Sequence, residues 1–344
     1  MSEFMERAYE LSKRGFPSPN PYVGAVVVRD GKVVSEGYHQ QAGLPHAEVE
    51  ALRGIDARGA TLYVTLEPCS HHGRTPPCTD AIIEAEIAEV VYAMDDPTDK
   101  VRGREILEKA GIDVRAGELS GKIERLNEAF IKHSKTSLPF VTLKAAMTLD
   151  GQTATAKGKS KWITGEAARK RVHHMRASSD AIITGIGTVL ADDPKLTARD
   201  SQGPDPTRII LDSKLRIPSD AKVLAGGNAV IVTTESATMR DVPAEVIVCG
   251  EDEVDIEGLL AIMGGRGITS IMVEAGAKVN ASFLGCGLID KLVLFIAPKA
   301  MGGANRPVFS GDPIAEMDEA NDLVFIPPEV VGDDIMLSAY PAGD

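Results

Sequence analysis

The apolar positions of this chain fall into short β-branched runs separated by stretches with helical spacing. Phe4, Ala8 and Leu11 share one face of an N-terminal helix expected over about Glu3–Arg14. Val23–Val28 and Lys32–Gly37 read as strands, with Asp30-Gly31 between them as a hairpin signal. A helix from about Ala47, a strand over Thr61–Thr65, a helix from about Thr79 and a strand over Glu89–Ala93 follow. Next come a helix from about Arg104 and a short strand over Ile112–Arg115. Leu119, Ile123, Leu126 and Phe130 then recur at the spacing of one further amphipathic helix.

The polar stretch from Lys135 to Pro139 reads as a linker, because proline closes it and a new strand follows. Strands are expected beyond it at Phe140–Ala146, Ala181–Thr184, Thr207–Leu211, Ala229–Thr233, Glu245–Val248, Ser270–Val273 and Lys291–Ala297, with helices between several of them. Alternating strands and helices imply α/β sheets covered by helices. The expectation is two α/β domains, residues 1–136 and 139–344, with no internal repeat.

A length of 344 residues agrees with about two domains. The balance is acidic, 37 Lys+Arg against 50 Asp+Glu, and neither half is a basic module. Nucleic-acid binding depends on neutralising phosphates, so no nucleic-acid partner is expected. A few local cations still suffice for one phosphate on a small molecule. No run approaches the roughly 20 apolar residues of a membrane span, and the N-terminus lacks a signal-peptide pattern. Four cysteines, Cys69, Cys78, Cys249 and Cys286, are too few for a disulfide scaffold. A cytoplasmic protein without a membrane partner is the default expectation. Cys249 and Cys286 have no His or Cys neighbours and read as core residues.

His46-Ala47-Glu48, followed by Pro68-Cys69 and then Cys78, carries the clearest chemistry. A catalytic zinc takes three protein ligands and leaves a position for water, and His46, Cys69 and Cys78 supply three. Cys78 opens a predicted helix, where thiolates are favoured. Glu48 is left over as a base that can take a proton from a water activated by zinc and pass it to a leaving amine. His-x-Glu followed by Pro-Cys is the arrangement of zinc deaminases in general, although their cysteines are usually separated by two residues. Here eight residues, Ser70–Pro77, intervene, and this polar, basic loop can line a substrate pocket. A closed structural zinc site needs a fourth ligand, for which His39, His71 and His72 are available.

The second half is less explicit. Gly185-Ile-Gly187 and the segment Gly276–Ser282 each join a strand to a helix, which suits either an ordinary turn or a phosphate cradle. There is no G-x-G-x-x-G fingerprint. Lys144 interrupts an apolar strand and can point into a cleft. Asp150 fits a turn before Gly151, and Trp162, the single tryptophan, reads as core. His173 and His174 read as surface residues. Arg176 and Arg199 can clamp a phosphate together, although each alone reads as a solvated charge.

Three segments of the first half, Asn20–Val28, Pro45-His-Ala-Glu48 and Thr65–Cys78, resemble the bifunctional riboflavin-biosynthesis deaminase/reductase family, in which the long inter-cysteine spacing is normal. Leu143–Gly151, Trp162-Ile-Thr164, Gly185–Pro194, Ile210–Ser213 and Val273–Gly276 resemble its reductase half. The resemblance implies a cytidine-deaminase-like α/β/α sandwich followed by a dihydrofolate-reductase-like α/β domain. It implies one zinc per chain, NADPH as cofactor and a homo-oligomer, dimer or tetramer. Its two steps are deamination of 2,5-diamino-6-(5-phosphoribosylamino)pyrimidin-4-one and reduction of the product's ribosyl group to ribityl, by hydride addition to C1′ of an opened imine.

Carried over by position, the resemblance makes His46, Cys69 and Cys78 the zinc ligands and Glu48 the proton shuttle. Asn20 and His39 become residues near the pyrimidine, and Arg74 becomes a further substrate-binding residue of that half, standing where many members have Lys. Ser160, Arg176, Leu196, Arg199 and Glu274 become substrate-binding residues of the reductase half. Ala146, Trp162, Thr188, Asp192, Ser213 and the run Gly276, Ala277, Lys278, Val279, Asn280, Ala281 and Ser282 become cofactor-binding residues. Ala275 replaces a glycine common in the family. Lys144 and Glu274 are the candidates for holding the ring and moving protons in reduction. Arg208, Ser213 and Lys214 are candidates for the cofactor 2′-phosphate. The rival readings are a single-activity zinc deaminase with a nucleotide-binding second domain, a nucleic-acid deaminase and a zinc-stabilised binding protein.

Overall fold

The computed structural model describes residues 3–73, 75–98, 100–199, 201, 203–303, 306–311 and 314–343. The chain divides into two compact units, Met1–Ser137 and Leu138–Asp344. Among the described residues, no helix is long and apolar enough to cross a membrane.

The first unit runs α1 (Glu3–Ser12), β1 (Gly24–Arg29), β2 (Lys32–Tyr38), α2 (Ala47–Leu52), β3 (Thr61–Leu66), α3 (Cys78–Glu84), β4 (Glu89–Met94), α4 (Gly103–Lys109), β5 (Asp113–Ala116), α5 (Ser120–Leu126) and α6 (Glu128–Thr136). Its sheet has the order β2-β1-β3-β4-β5, with β1 antiparallel to both neighbours and β3, β4 and β5 parallel. The hairpin expected at Asp30-Gly31 forms, with φ of 51° and 70° at the two residues, the conformation whose twist matches the flanking strands. Val26, Leu62, Val64 and Val90 are fully buried between the sheet and its helices. Gly37 lets α2 lie directly on β2, because a Cβ there would collide with the Ala47 carbonyl. That contact fixes the start of α2, where His46 and Glu48 sit.

The single helix expected across Leu119–Phe130 is instead two, α5 and α6, broken at Asn127. Hydrophobic spacing continues through the break, but the buried Asn127 amide binds the Tyr22 backbone. Its Oδ1 accepts from the Tyr22 N–H at 2.7 Å, and its Nδ2 donates to the Tyr22 carbonyl at 3.1 Å.

The second unit runs β6 (Phe140–Thr148), α7 (Glu166–Ala177), β7 (Ala181–Gly185), α8 (Ile186–Asp192), β8 (Thr207–Leu211), β9 (Ala229–Thr233), β10 (Glu245–Val248), α9 (Ile256–Gly265), β11 (Ser270–Val273), α10 (Ala277–Gly285), β12 (Lys291–Ala297), β13 (Leu323–Phe325), β14 (Glu329–Val331) and β15 (Asp334–Pro341). The sheet order is β10-β9-β8-β7-β11-β6-β12-β15-β13, and β14 also pairs with β15. The strands from β10 to β12 in that order are parallel, and β15 is antiparallel to β12. Successive strand residues alternate between two cores. Ile183 and Val273 face one, and Ile182 and Met272 face the other. Parallel strands buried on both faces read as unbroken apolar runs, which is why these were visible in the sequence.

The three C-terminal strands were not anticipated. β13 presents Leu323, Val324 and Phe325 to solvent, so it shows no inward-outward alternation. Three local readings are also corrected. Cys249 is buried, but Cys286 is exposed at the end of α10. His173 is buried, its ring bonded to the Thr197 carbonyl, while His174 is exposed. Trp162 is 63% exposed and lies against the Arg169 guanidinium, 4.5 Å from ring centroid to Cζ.

Candidate active sites

His46, Cys69 and Cys78 converge although three different elements carry them. His46 is the residue before α2, Cys69 lies just past β3 and Cys78 is the first residue of α3. Their ligand atoms lie within 4.8 Å of one another. His46 Nδ1 lies 3.2 Å from the Cys78 sulfur and 3.5 Å from the Cys69 sulfur. A tetrahedral zinc with Zn–N of about 2.0–2.1 Å and Zn–S of about 2.3 Å holds nitrogen and sulfur roughly 3.5 Å apart, so this donor set fits that ion.

The electrostatics suit a cation as well. Hydrogen bonding from Cys78, then from His46, drives the Cys69 thiol down to about 4 despite burial. Cys78 shifts the other way, because it keeps the proton it shares with Cys69. His46 is raised, first by its hydrogen bond with Cys69. Beside them Glu48 is 3% exposed, and its Oε2 has no hydrogen-bond partner. Burial, reinforced by the charge on Cys69, pushes its carboxyl up to about 7. A buried carboxylate oxygen without a partner is costly in a finished core, and it is what a site for a transferable proton requires.

A cavity of about 450 Å³ opens onto these groups, and Asn20, His39 and Glu48 line it. His39 Nδ1 lies 3.0 Å from the Pro45 carbonyl, so the ring proton sits there and Nε2 accepts from Asn20 Nδ2 at 3.0 Å. Burial lowers the His39 pKa, which keeps that neutral tautomer. The inter-cysteine loop contributes His71, Gly73 and Thr75 to the wall, and Arg74 lies outside the described residues. Asp96, Lys100 and Phe130 also line the cavity, and sequence reasoning did not single them out. Asp96 and Lys100 follow the carboxyl end of β4, a position that could have flagged them. Phe130 carried no separate signal, because helical spacing does not distinguish a pocket wall from a core.

In the second unit the anticipated residues gather at the carboxyl ends of the parallel strands. Lys144 and Ala146 share one face of β6. Gly185 ends β7, Ser213 follows β8, and Glu274 follows β11, which is inserted between β6 and β7. Ligands of open α/β sheets bind at such a switch point. The Glu274 carboxylate, 19% exposed, accepts from Lys144 Nζ at 3.0 Å, Arg176 Nε at 3.0 Å and Arg176 Nη2 at 2.9 Å. Arg176 Nη1 also donates to the Thr197 carbonyl at 3.1 Å. Arg176 is therefore not the solvated charge expected of it alone, while Arg199 is exposed. Although burial opposes ionisation, Arg176 and Lys144 hold Glu274 far below the usual carboxylate range. The carboxylate is therefore held ionised between its two cations.

The two strand-to-helix junctions adjoin. A Cβ on Gly185 would lie 2.8 Å from Val279 Cγ2, and one on Gly276 would lie 3.6 Å from Thr188 Oγ1. Ser160 Oγ lies 3.4 Å from the Asp192 carboxylate, and Leu196 is buried with φ of 52°. Asn280 does not join the cluster, because its buried side chain donates to the Val308 carbonyl at 2.9 Å. Arg208 is likewise no partner for Ser213. It is 2% exposed, bonded to the Ala225 carbonyl, and lies at the opposite end of β8.

Comparison with known proteins gives two family matches. Residues 1–94 match the cytidine and deoxycytidylate deaminase zinc-binding region, and residues 139–334 match the RibD C-terminal domain. The chain is 42% identical to the riboflavin biosynthesis protein RibD of Escherichia coli K12, over 97% of each chain. It is 43% identical to RibD of Bacillus amyloliquefaciens, over 98% of this chain and 95% of that one. Among solved structures, Acinetobacter baumannii RibD superimposes with a TM-score of 0.89 at 40% identity, covering 99% of this chain and 98% of that one. A diaminohydroxyphosphoribosylaminopyrimidine deaminase/5-amino-6-(5-phosphoribosylamino)uracil reductase from Thermotoga maritima superimposes with a TM-score of 0.87 at 37% identity, covering 98% of each.

Proposed function

This chain belongs to the RibD family, and from that premise we propose how its residues divide the work of deamination and reduction. It is a bifunctional enzyme of riboflavin biosynthesis, a zinc deaminase joined to an NADPH-using reductase. In our reading residues 1–136 carry the deaminase and residues 139–344 the reductase.

His46, Cys69 and Cys78 hold the zinc, which when bound supplies Lewis-acid activation of water. The proton leaves and returns through Glu48 Oε2, the buried oxygen that no neighbour occupies. Asn20, held by His39, keeps its Oδ1 available to accept from the pyrimidine, and Arg74 and Lys100 are the cations suited to the substrate phosphate.

In the reductase, NADPH when bound supplies hydride. Glu274 sets the positions of Lys144 and Arg176, and the Lys144 ammonium, with two N–H groups beyond Glu274, holds the substrate ring. Ser160, Leu196 and Arg199 complete the substrate side. Ala146, Trp162, Thr188, Asp192, Ser213 and the backbone that opens α10 take the cofactor.

The same reading gives a homo-oligomer in a reducing cytoplasm. Phe325 and Val330, 61% and 81% exposed on the outermost strands, are an apolar edge of the kind that folded proteins cover.

The single observation that carries the deaminase assignment is the buried Glu48 Oε2, without a hydrogen-bond partner, beside the three ligand atoms. The test supplies the diaminopyrimidine phosphoribosyl substrate with NADPH and follows loss of reduced-nicotinamide absorbance. Wild type consumes NADPH, and Glu48→Ala consumes none unless the deaminated intermediate is added. If wild type releases ammonia without consuming NADPH, the second unit is not a reductase for this product.

A further inference from the structure

The loop between the zinc cysteines does more than wall the substrate cavity with His71, Gly73 and Thr75. His46 turns Nδ1 toward both sulfurs. Its other nitrogen, Nε2, faces Thr75 Oγ1 at 3.4 Å. When Nδ1 gives its lone pair to a metal, the ring proton must sit on Nε2, and the Thr75 hydroxyl is the acceptor facing it. A ligating histidine is held in one tautomer and one ring plane by such a partner. Thr75 also lines the cavity, alongside His71 and Gly73 of the same loop. Because Pro76 and Pro77 follow it directly and Cys78 opens α3, the hydroxyl is tethered a short distance from the next ligand.

We propose that Thr75 is a positioning residue of the deaminase, whose hydroxyl takes the Nε2–H of His46 and so slows loss of the metal. The long spacer then has a physical purpose, since it brings back to His46 a partner that two intervening residues could not supply.

This inference rests on His46 being a zinc ligand, and the experiment separates the two. Full-length holoenzyme is prepared as wild type, Thr75→Val and Thr75→Ser. Zinc content is measured first, then the rate of zinc transfer to a chromogenic chelator. A wild type without stoichiometric zinc overturns the ligand assignment itself. With zinc present, Thr75→Val is expected to release it about 10–100-fold faster. Thr75→Ser, which keeps the hydroxyl, returns the rate to within about threefold of wild type. Reductase turnover on added deaminated intermediate stays unchanged in both, which shows that each variant is folded. Equal zinc release by wild type and Thr75→Val overturns the proposal, as does a Thr75→Ser that releases zinc as fast as Thr75→Val.

Discussion

Replacing Glu274 with glutamine removes the negative charge that contacts both the buried Lys144 and Arg176 cations. Lys144 and Arg176 side chains are 10% and 11% exposed, and both contact the carboxylate at about 3 Å. Breaking a buried pair by deleting one partner costs about 3–5 kcal/mol, because the remaining charge stays desolvated. The amide keeps the shape and one acceptor, and Arg176 keeps the Thr197 carbonyl, so the lower figure applies. A unit of this size loses about 2–4 °C per kcal/mol, giving a fall of roughly 6–12 °C in the melting temperature of the reductase unit. Displacement of the Lys144 ammonium by about 1 Å costs on the order of 100-fold in hydride transfer. The assays are calorimetric melting and NADPH oxidation with the deaminated intermediate. Adding Lys144→Met to the Gln variant removes one stranded cation and should recover part of the stability.

The pH dependence gives a second check. The folded pKa of Glu274 lies below its unfolded value, so its ionisation stabilises the fold above the unfolded pKa and is lost only as pH falls through the folded value. The gap between wild type and Glu274→Gln should hold constant from about pH 8 to about pH 5 and shrink below about pH 4. A variant that melts with wild type and keeps normal turnover would refute both the ion-pair argument and the placement of Glu274 in the site.

Gly185→Ala forces a Cβ to 2.8 Å from the stiff Val279 side chain, whereas a Cβ on Gly187 meets nothing within 4 Å. Thermal melts should show Gly185→Ala destabilised by about 1–3 kcal/mol and Gly187→Ala much less affected; equal effects would contradict the close approach of α10 to β7. Phe325→Glu with Val330→Glu should shift sedimentation toward the monomer while leaving deaminase turnover in place, and an unchanged sedimentation profile would show that this edge joins no second copy.

The parallel strands and the zinc residues were legible for different reasons. Strands such as Thr207–Leu211 and Ser270–Val273 are buried on both faces, so their positions follow from composition alone. His46, Glu48, Cys69 and Cys78 are rare residue types whose pattern has few structural uses. The failures share a cause, which is tertiary contact that local pattern does not encode. Asn127 breaks a continuous apolar stripe because Tyr22, more than a hundred residues away, needs its amide. His173 looks like a surface residue beside His174, yet the fold turns one inward and leaves the other in solvent. The Glu274 cluster joins residues from three separate segments, and none of them announces its partner. β13 and β14 escaped notice because exposed apolar strands carry no alternation.

Trp162 is the only tryptophan of the chain, and it is exposed in the reductase half beneath the Arg169 guanidinium. Indole emission therefore arises from one place in the molecule. The deaminase unit contributes tyrosine light alone, so unfolding of the two units can be followed separately in the same cuvette without any label. A ring already close to a cation and open to water is also sensitive to whatever displaces that water. Reduced nicotinamide absorbs where indole emits, so NADPH bound nearby would quench this single emitter, and titrating the native protein would read cofactor occupancy directly.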